Sequence, residues 1–177
     1  GAVEMVVRAI AASGTTRHLA TIITAARERI TTNCASIASA VRTSTRVRTA
    51  VVGIHVEGPF ISPVDGPRGA HDPKHVRNPD WNEFSAWQDA AEGLIRVVTV
   101  APETEGALAF IEKVSAAGVV VAIGHTAAAP EQIREAIAAG ARLSTHLGNG
   151  SHAVLPRLKN YLWEQLGADE LSASIIA

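Results

Sequence analysis

The sequence has little cysteine, no excess of charge of either sign and no long apolar run, and each absence excludes a class of protein. The single cysteine, Cys34, excludes an internal disulfide framework, fits a reducing cytoplasmic compartment and is expected to be a small apolar filler. A net charge of -1 gives no basic excess for nucleic acid. No apolar run reaches the roughly 18 residues of a membrane span.

What is present predicts a globular domain. The 177 residues are 47% hydrophobic, which suffices for one sizeable core. The N-terminus lacks the basic and then apolar pattern of a secretory signal. Because the chain starts without Met and in a stretch that reads as helix, we expect it to be a piece of a longer protein.

Short apolar runs alternate with longer amphipathic stretches. A strand is predicted to open at Gly14-Thr15-Thr16, and further strands cover 51–56, 94–100, 119–123, 142–145 and 171–176. Helices are predicted over 2–12, 23–42, 81–91, 105–117, 130–139 and 158–167. Because the strands are unbroken apolar runs, they predict a parallel α/β sheet covered by helices. A partial barrel and an open doubly wound sheet both fit six strands, although no Gly-x-Gly-x-x-Gly turn supports a dinucleotide site.

Three metal-ligand side chains follow three of these strands. Glu57, His125 and His146 each lie at or just beyond the C-terminal end of a predicted strand, and in a barrel those ends converge. Two imidazoles and one carboxylate suit zinc or another divalent first-row metal, with a position left for water. His55 shares a strand face with Glu57, so it is either a further ligand or, as we favour, a buried hydrogen-bonding residue.

The remaining histidines have different settings. His71 lies in a Gly-rich loop, which suits a donor to a carbonyl oxygen or oxyanion, although a surface position is the alternative. His152 follows His146 by one loop, so a position lining the pocket and a position outside it both fit the sequence. His75 has no comparable context, and we expect no special role for it.

Five segments in order resemble N-acetylglucosamine-6-phosphate deacetylase, a family of the amidohydrolase superfamily of metal-dependent barrels. The segments are Gly53-x-His55-x-Glu57-Gly58-Pro59-Phe60, Gly69-Ala70-His71-Asp72-Pro73 with Arg77, Ala101-Pro102-Glu103, Gly124-His125-Thr126 and Thr145-His146-Leu147-x-Asn149. Together they span nearly the whole chain. The resemblance implies a partial (β/α)8 TIM-type barrel whose six strands are strands two to seven, so that residues 1–177 form an incomplete metal-dependent hydrolase barrel domain.

The resemblance also implies the roles of particular residues. It makes Glu57, His125 and His146 the metal ligands, with zinc the expected metal and iron or another first-row metal the alternative. It makes His71 the catalytic contact to the acetamide carbonyl. Residues expected to contact the sugar phosphate are Ala70, His71, Asn149, Gly150 and Arg157. Gly150 stands where the family usually has Ala, and Arg157 is the candidate for phosphate in a divergent segment.

The implied reaction is hydrolysis of the N-acetyl group of N-acetylglucosamine 6-phosphate to glucosamine 6-phosphate and acetate. The family's general acid/base Asp is absent from this chain, so we expect little turnover by these residues alone. The resemblance also implies a homodimer, a small-molecule amino sugar phosphate as substrate and no nucleic-acid or membrane partner. The alternatives are an amidohydrolase acting on another N-acyl group or a cyclic amide, and a metal-binding fragment without catalysis.

Overall fold

Six parallel strands form one sheet in the computed structural model, which describes residues 1–176. The strands are β1 (His18–Ile23), β2 (Val51–Glu57), β3 (Ile95–Val100), β4 (Val120–Ile123), β5 (Ala141–Ser144) and β6 (Ser172–Ala173). They pair in chain order, each parallel to the next. A doubly wound sheet reverses its strand order at a switch point, so this order excludes that alternative. The predicted partial TIM-type barrel is confirmed.

The connections between the strands are largely helical. The helices are α1 (Ala2–Ala12), α2 (Arg27–Thr43), α3 (Thr45–Ala50), α4 (Trp81–Ala90), α5 (Ala107–Ala116), α6 (Pro130–Ala138) and α7 (Tyr161–Leu166). The predicted start of α4 is confirmed, because the Asp80 carboxylate accepts the Glu83 N–H at 2.6 Å and caps the first turn. Within the described residues, no helix combines the length and apolarity needed to cross a membrane.

Some predicted boundaries were wrong. Helix α2 begins at Arg27 rather than at residue 23, because β1 continues through Ile23 and pairs there with β2. The helix α3 was not predicted; Ser44 starts it by accepting a backbone N–H of its first turn. Strand β6 is shorter than the predicted 171–176, because only Ser172 and Ala173 pair with β5.

Phe60 anchors the long loop after β2 in the hydrophobic core. Its ring is fully buried, stacks on Trp87 at 5.2 Å and meets Phe110 edge-on at the same distance. Burying a phenylalanine contributes about 1.5–3 kcal/mol to folding. The loop therefore leaves the sheet at Glu57 and returns to the core within three residues, which fixes the path of the chain around that carboxylate.

A buried ion pair secures the far end of the same loop. The Glu83 carboxylate is 1% exposed and receives Arg77 through Nη2 at 2.5 Å and Nε at 3.0 Å, with Arg27 at 3.3 Å. A buried carboxylate needs partners that satisfy its oxygens, and a bidentate arginine does so. The loop between β2 and α4 is thus held at both ends.

Candidate metal centre

Glu57, His125 and His146 come together at the C-terminal edge of the sheet. Glu57 ends β2, and each histidine lies two residues beyond its strand, β4 or β5. Parallel strands paired in order bring their C-terminal ends to one edge, so three distant segments meet there. The ligand atoms of the three side chains all lie within 4.8 Å of one another.

The spacing of these atoms suits one small cation. His125 Nε2 lies 3.0 Å from Glu57 Oε1 and 3.1 Å from His146 Nε2, and His146 Nε2 lies 3.3 Å from the same carboxylate oxygen. In a tetrahedral zinc site with bonds of about 2.0–2.1 Å, neighbouring ligand atoms are about 3.3 Å apart. The triangle therefore matches three positions of such a site.

The loop after β2 sets the tautomer of His125. The Nδ1 atom lies 2.9 Å from the Pro67 carbonyl oxygen, which only accepts hydrogen bonds. Nδ1 therefore carries the proton, and Nε2 of the neutral ring presents its lone pair to Glu57 and His146. A lone pair that faces a carboxylate oxygen at 3.0 Å is repelled unless a positive charge lies between them, so the donor set fits a divalent metal ion.

Both histidines have backbone conformations that are rare for residues with side chains. The φ angles of His125 and His146 are 50° and 30°, in the left-handed region. Within residues 1–176, Glu92 is the only other non-glycine residue with a positive φ. Strain of this kind costs on the order of 1–3 kcal/mol and concentrates at functional sites.

Backbone contacts across strands hold these two turns in place. The His125 carbonyl accepts the N–H of Ser62 at 2.9 Å, which links the β4 turn to the loop after β2. The His146 N–H donates to the Ser174 hydroxyl at 2.7 Å, next to β6. The position of each imidazole therefore depends on an element distant in sequence.

The electrostatics of the cluster favour a charged Glu57. The close contacts with His125, then with His146 and His71, hold the pKa of Glu57 far below its usual range, although burial opposes them. The hydrogen bond to Glu57 raises the pKa of His146, and burial again opposes the shift. The site thus presents an ionised carboxylate at neutral pH.

His71 approaches the same carboxylate from the Gly-rich loop. Its ring is 6% exposed, which rules out the surface alternative, and its Nε2 lies 3.4 Å from Glu57 Oε1. The ring centroid is 4.3 Å from that of His125, in an edge-on arrangement. His71 therefore borders the cluster, next to Glu57 and His125.

His55 has the hydrogen-bonding position that we favoured over a ligand role. Its Nε2 lies 2.7 Å from the Thr99 hydroxyl, which lies 2.8 Å from the hydroxyl of Thr145. Burial lowers the pKa of His55. These hydrogen-bonded side chains join β2, β3 and the residue before His146.

The residues predicted to contact substrate lie in three places. Asn149 and Gly150 border the same cavity as His125, and Ala70 is exposed in the His71 loop. Arg157 is exposed and borders a neighbouring groove of about 410 Å³ with Leu155 and Trp163. The predicted residues are therefore not gathered around a single cavity.

Gly150 has a second property that the resemblance did not imply. It has a φ of 57°, and a Cβ built on it would lie 2.6 Å from His125 Nδ1. Replacement by the family's usual Ala is therefore not sterically neutral here. His152 is engaged elsewhere, because its Nδ1 lies 3.0 Å from the Tyr161 hydroxyl.

Two residues beside the cluster were missed from the sequence. The Thr24 hydroxyl, just after β1, contacts His71 Nδ1 at 2.7 Å. The Glu103 carboxylate accepts the Thr126 hydroxyl at 2.5 Å and the Ala127 N–H at 2.7 Å, which braces the turn that carries His125. Glu103 was visible in the Ala101-Pro102-Glu103 motif, whereas Thr24 had no distinguishing pattern.

Curated relatives and solved structures resemble the chain, although no family model matches it. N-acetylglucosamine-6-phosphate deacetylase from Bacillus subtilis is 32% identical over 166 residues, covering 93% of this chain and 41% of the relative. N-acetylgalactosamine-6-phosphate deacetylase from a Shewanella species is 34% identical over 144 residues, covering 81% of this chain and 35% of the relative.

The structural comparison agrees. N-acetyl-D-glucosamine-6-phosphate deacetylase from Mycobacterium smegmatis, also solved as a mutant with N-acetyl-D-glucosamine-6-phosphate, has a TM-score of 0.81 and 37% identity, covering 90% of this chain and 40% of that one. The chain thus spans about two fifths of the length of these proteins. The predicted resemblance is confirmed: over most of its length, this chain is similar in sequence and fold to part of N-acetylglucosamine-6-phosphate deacetylases.

Proposed function

We propose that this chain is the metal-binding part of an enzyme that hydrolyses the N-acetyl group of N-acetylglucosamine 6-phosphate to glucosamine 6-phosphate and acetate. The observation that carries the proposal is the triangle formed by Glu57, His125 and His146. Its spacing suits a tetrahedral metal, and the Pro67 carbonyl holds His125 in the tautomer of a ligand. The names of the relatives supply the substrate.

In this proposal, three residues bind the metal and a fourth donates a hydrogen bond to the substrate. Glu57, His125 and His146 would hold zinc, or iron or another first-row metal in its place. When bound, the metal would supply a Lewis acid and a water of lowered pKa at neutral pH. His71 would donate from Nε2 to the acyl oxygen as negative charge develops on it, which is worth several kcal/mol in a dry site.

The substrate would extend away from the metal across the loops. In the proposal, Ala70, Asn149 and Gly150 contact the sugar phosphate, largely through backbone groups, and Arg157 contacts the phosphate. The general acid/base would be an Asp that is not among these 177 residues. A homodimer and a cytoplasmic location complete the proposal, supported by the resemblance and by the single buried cysteine.

The first experiment tests the metal centre. Purified chain is loaded with zinc, dialysed and assayed for metal, with His125→Ala as the test variant and His75→Ala as the matched control on the loop after β2. We expect one zinc per wild-type and His75→Ala chain, and loss of zinc from His125→Ala. Equal zinc in all three, or none in wild type, contradicts the proposed centre.

The second experiment tests the substrate. Binding to the zinc-loaded chain is measured for N-acetylglucosamine 6-phosphate, its galactosamine counterpart, unphosphorylated N-acetylglucosamine and a cyclic amide. We expect the phosphorylated sugars to bind most tightly and to release little acetate. Preference for the cyclic amide supports a different amidohydrolase, and zinc binding without any ligand supports a metal-binding fragment. Robust acetate release refutes the proposal that the acid/base Asp lies outside these residues.

A further inference from the structure

Thr24 contacts Nδ1 of His71, the ring nitrogen that is not directed at Glu57. Thr24 directly follows β1, and both residues are buried, with side chains 47 positions apart in sequence. The Thr24 hydroxyl oxygen lies 2.7 Å from His71 Nδ1. A buried hydrogen bond of this length restricts both the tilt and the protonation pattern of the imidazole.

The glycine after Glu57 makes room for this pair. A Cβ built on Gly58 would lie 2.1 Å from the Thr24 hydroxyl oxygen and 3.4 Å from His71 Nδ1. Gly58 also has a φ of 78°, which residues with side chains rarely adopt. The turn that delivers Glu57 is therefore shaped around the contact between Thr24 and His71.

The direction of the hydrogen bond follows from what faces the other ring nitrogen. His71 Nε2 points toward Glu57 Oε1 at 3.4 Å, and an ionised carboxylate only accepts. The Nδ1 partner of His71 is a hydroxyl, which can donate as well as accept, so a neutral ring can keep its proton on Nε2 toward this carboxylate and accept at Nδ1. In that tautomer the Thr24 hydroxyl donates to Nδ1.

His125 has the opposite arrangement. A carbonyl acceptor, Pro67, faces its Nδ1, so its Nε2 is bare and suited to bind a metal. A hydroxyl faces Nδ1 of His71, so its Nε2–H is suited to donate. The Pro67 carbonyl thus suits His125 to bind a metal, whereas the Thr24 hydroxyl suits the neighbouring His71 to donate a hydrogen bond.

We propose that Thr24 is a positioning residue that holds His71 in the Nε2–H tautomer and aims that N–H into the active site. The tautomer rests on the contacts alone, whereas its use toward an acyl oxygen rests on the proposed function. Thr24→Val keeps the shape of the side chain and removes the donor. Thr24→Ser keeps the donor and serves as the conservative control.

Nitrogen NMR of the histidine side chains tests the tautomer directly. The zinc-loaded chain, labelled with ¹⁵N, is compared with Thr24→Val and Thr24→Ser, and His71→Gln identifies the His71 resonances. We expect wild type and Thr24→Ser to show a protonated Nε2 and a hydrogen-bonded, unprotonated Nδ1. In Thr24→Val, the Nδ1 resonance should shift to that of an acceptor without a partner.

A binding measurement on the same samples connects the tautomer to the site. Since one hydrogen bond is worth roughly three- to tenfold in an equilibrium constant, Thr24→Val should weaken binding of N-acetylglucosamine 6-phosphate by about that factor, and Thr24→Ser should restore it. A protonated Nδ1 in wild type overturns the inference even if Thr24→Val does not fold. An unchanged Nδ1 resonance in folded Thr24→Val also overturns it, whereas a shifted resonance in a chain that binds no zinc overturns only the proposed function.

Discussion

Substituting Gly150 by Ala tests whether the candidate metal centre depends on its packing. The added Cβ would lie 2.6 Å from His125 Nδ1 and 2.8 Å from Cε1, well inside van der Waals contact. The ring must therefore move by about 0.8 Å to reach an ordinary contact distance. Such a movement also disturbs the 2.9 Å contact between Nδ1 and the Pro67 carbonyl oxygen.

The expected effect is a loss of metal affinity. A shift of this size takes Nε2 away from Glu57 and His146, and changes that disturb the orientation of a ligand cost about 10–100-fold in affinity. This range corresponds to about 1.4–2.7 kcal/mol. Competition of zinc between the chain and a chromophoric chelator at neutral pH measures it.

Gly148→Ala is the matched control. Gly148 has a φ of 94°, and no atom lies within 4 Å of its built Cβ, so the substitution brings backbone strain without the clash. Left-handed backbone costs a residue with a side chain about 1–2 kcal/mol, and both variants should lose stability of that order in urea. Only Gly150→Ala should lose zinc affinity. Equal loss in both variants, or wild-type affinity in Gly150→Ala, would refute the reasoning.

Three further predictions concern the stability of the fold. Burial raises the pKa of the Cys34 thiol to about 11. The buried thiol therefore contributes fully to the free energy of unfolding below the unfolded pKa near 9, and this contribution is lost as the pH rises toward 11. Cys34→Ala should reduce the fall in stability over this pH range by on the order of 2 kcal/mol. Arg77→Met should cost about 3 kcal/mol in urea unfolding, because Glu83 is left buried with a weaker partner, whereas Arg134→Met on the surface should change little. Thr99→Val should cost about 1–3 kcal/mol by breaking the buried hydroxyl chain, and Thr99→Ser should recover most of it.

Each of these predictions has an outcome that contradicts it. A parallel pH dependence of stability in wild type and Cys34→Ala would show that the thiol does not contribute. Equal effects of the two arginine substitutions would show that burial of Glu83 is unimportant. Full stability of Thr99→Val would show that the hydroxyl chain carries no net free energy.

Local patterns predicted most of the fold because its strands are continuous apolar runs. Strands β2 and β3 lie within one residue of their predicted bounds. The segments from Val51 to Val56 and from Ile95 to Val100 are rich in β-branched residues, which favour strands. Strand β6 could not be bounded in the same way. It consists of the residues that find partners on β5, and pairing depends on a distant strand.

The sequence alone determined which side chains could form the candidate metal centre. Glu57, His125 and His146 follow apolar strands, and parallel strands in one barrel bring their ends together whatever the loops do. The motifs around these residues then carried the resemblance that the comparisons confirm. Composition and spacing needed no knowledge of the loops to reach this point.

Only the tertiary structure decided what each histidine can do. Imidazole can donate or accept at either nitrogen, so its chemistry depends on the atom that faces the other nitrogen. Pro67 supplies a carbonyl to His125 across 58 residues, and Thr24 supplies a hydroxyl to His71 across 47. No local pattern encodes such contacts, because they form only when the loop after β2 folds back over the ends of β1 and β4.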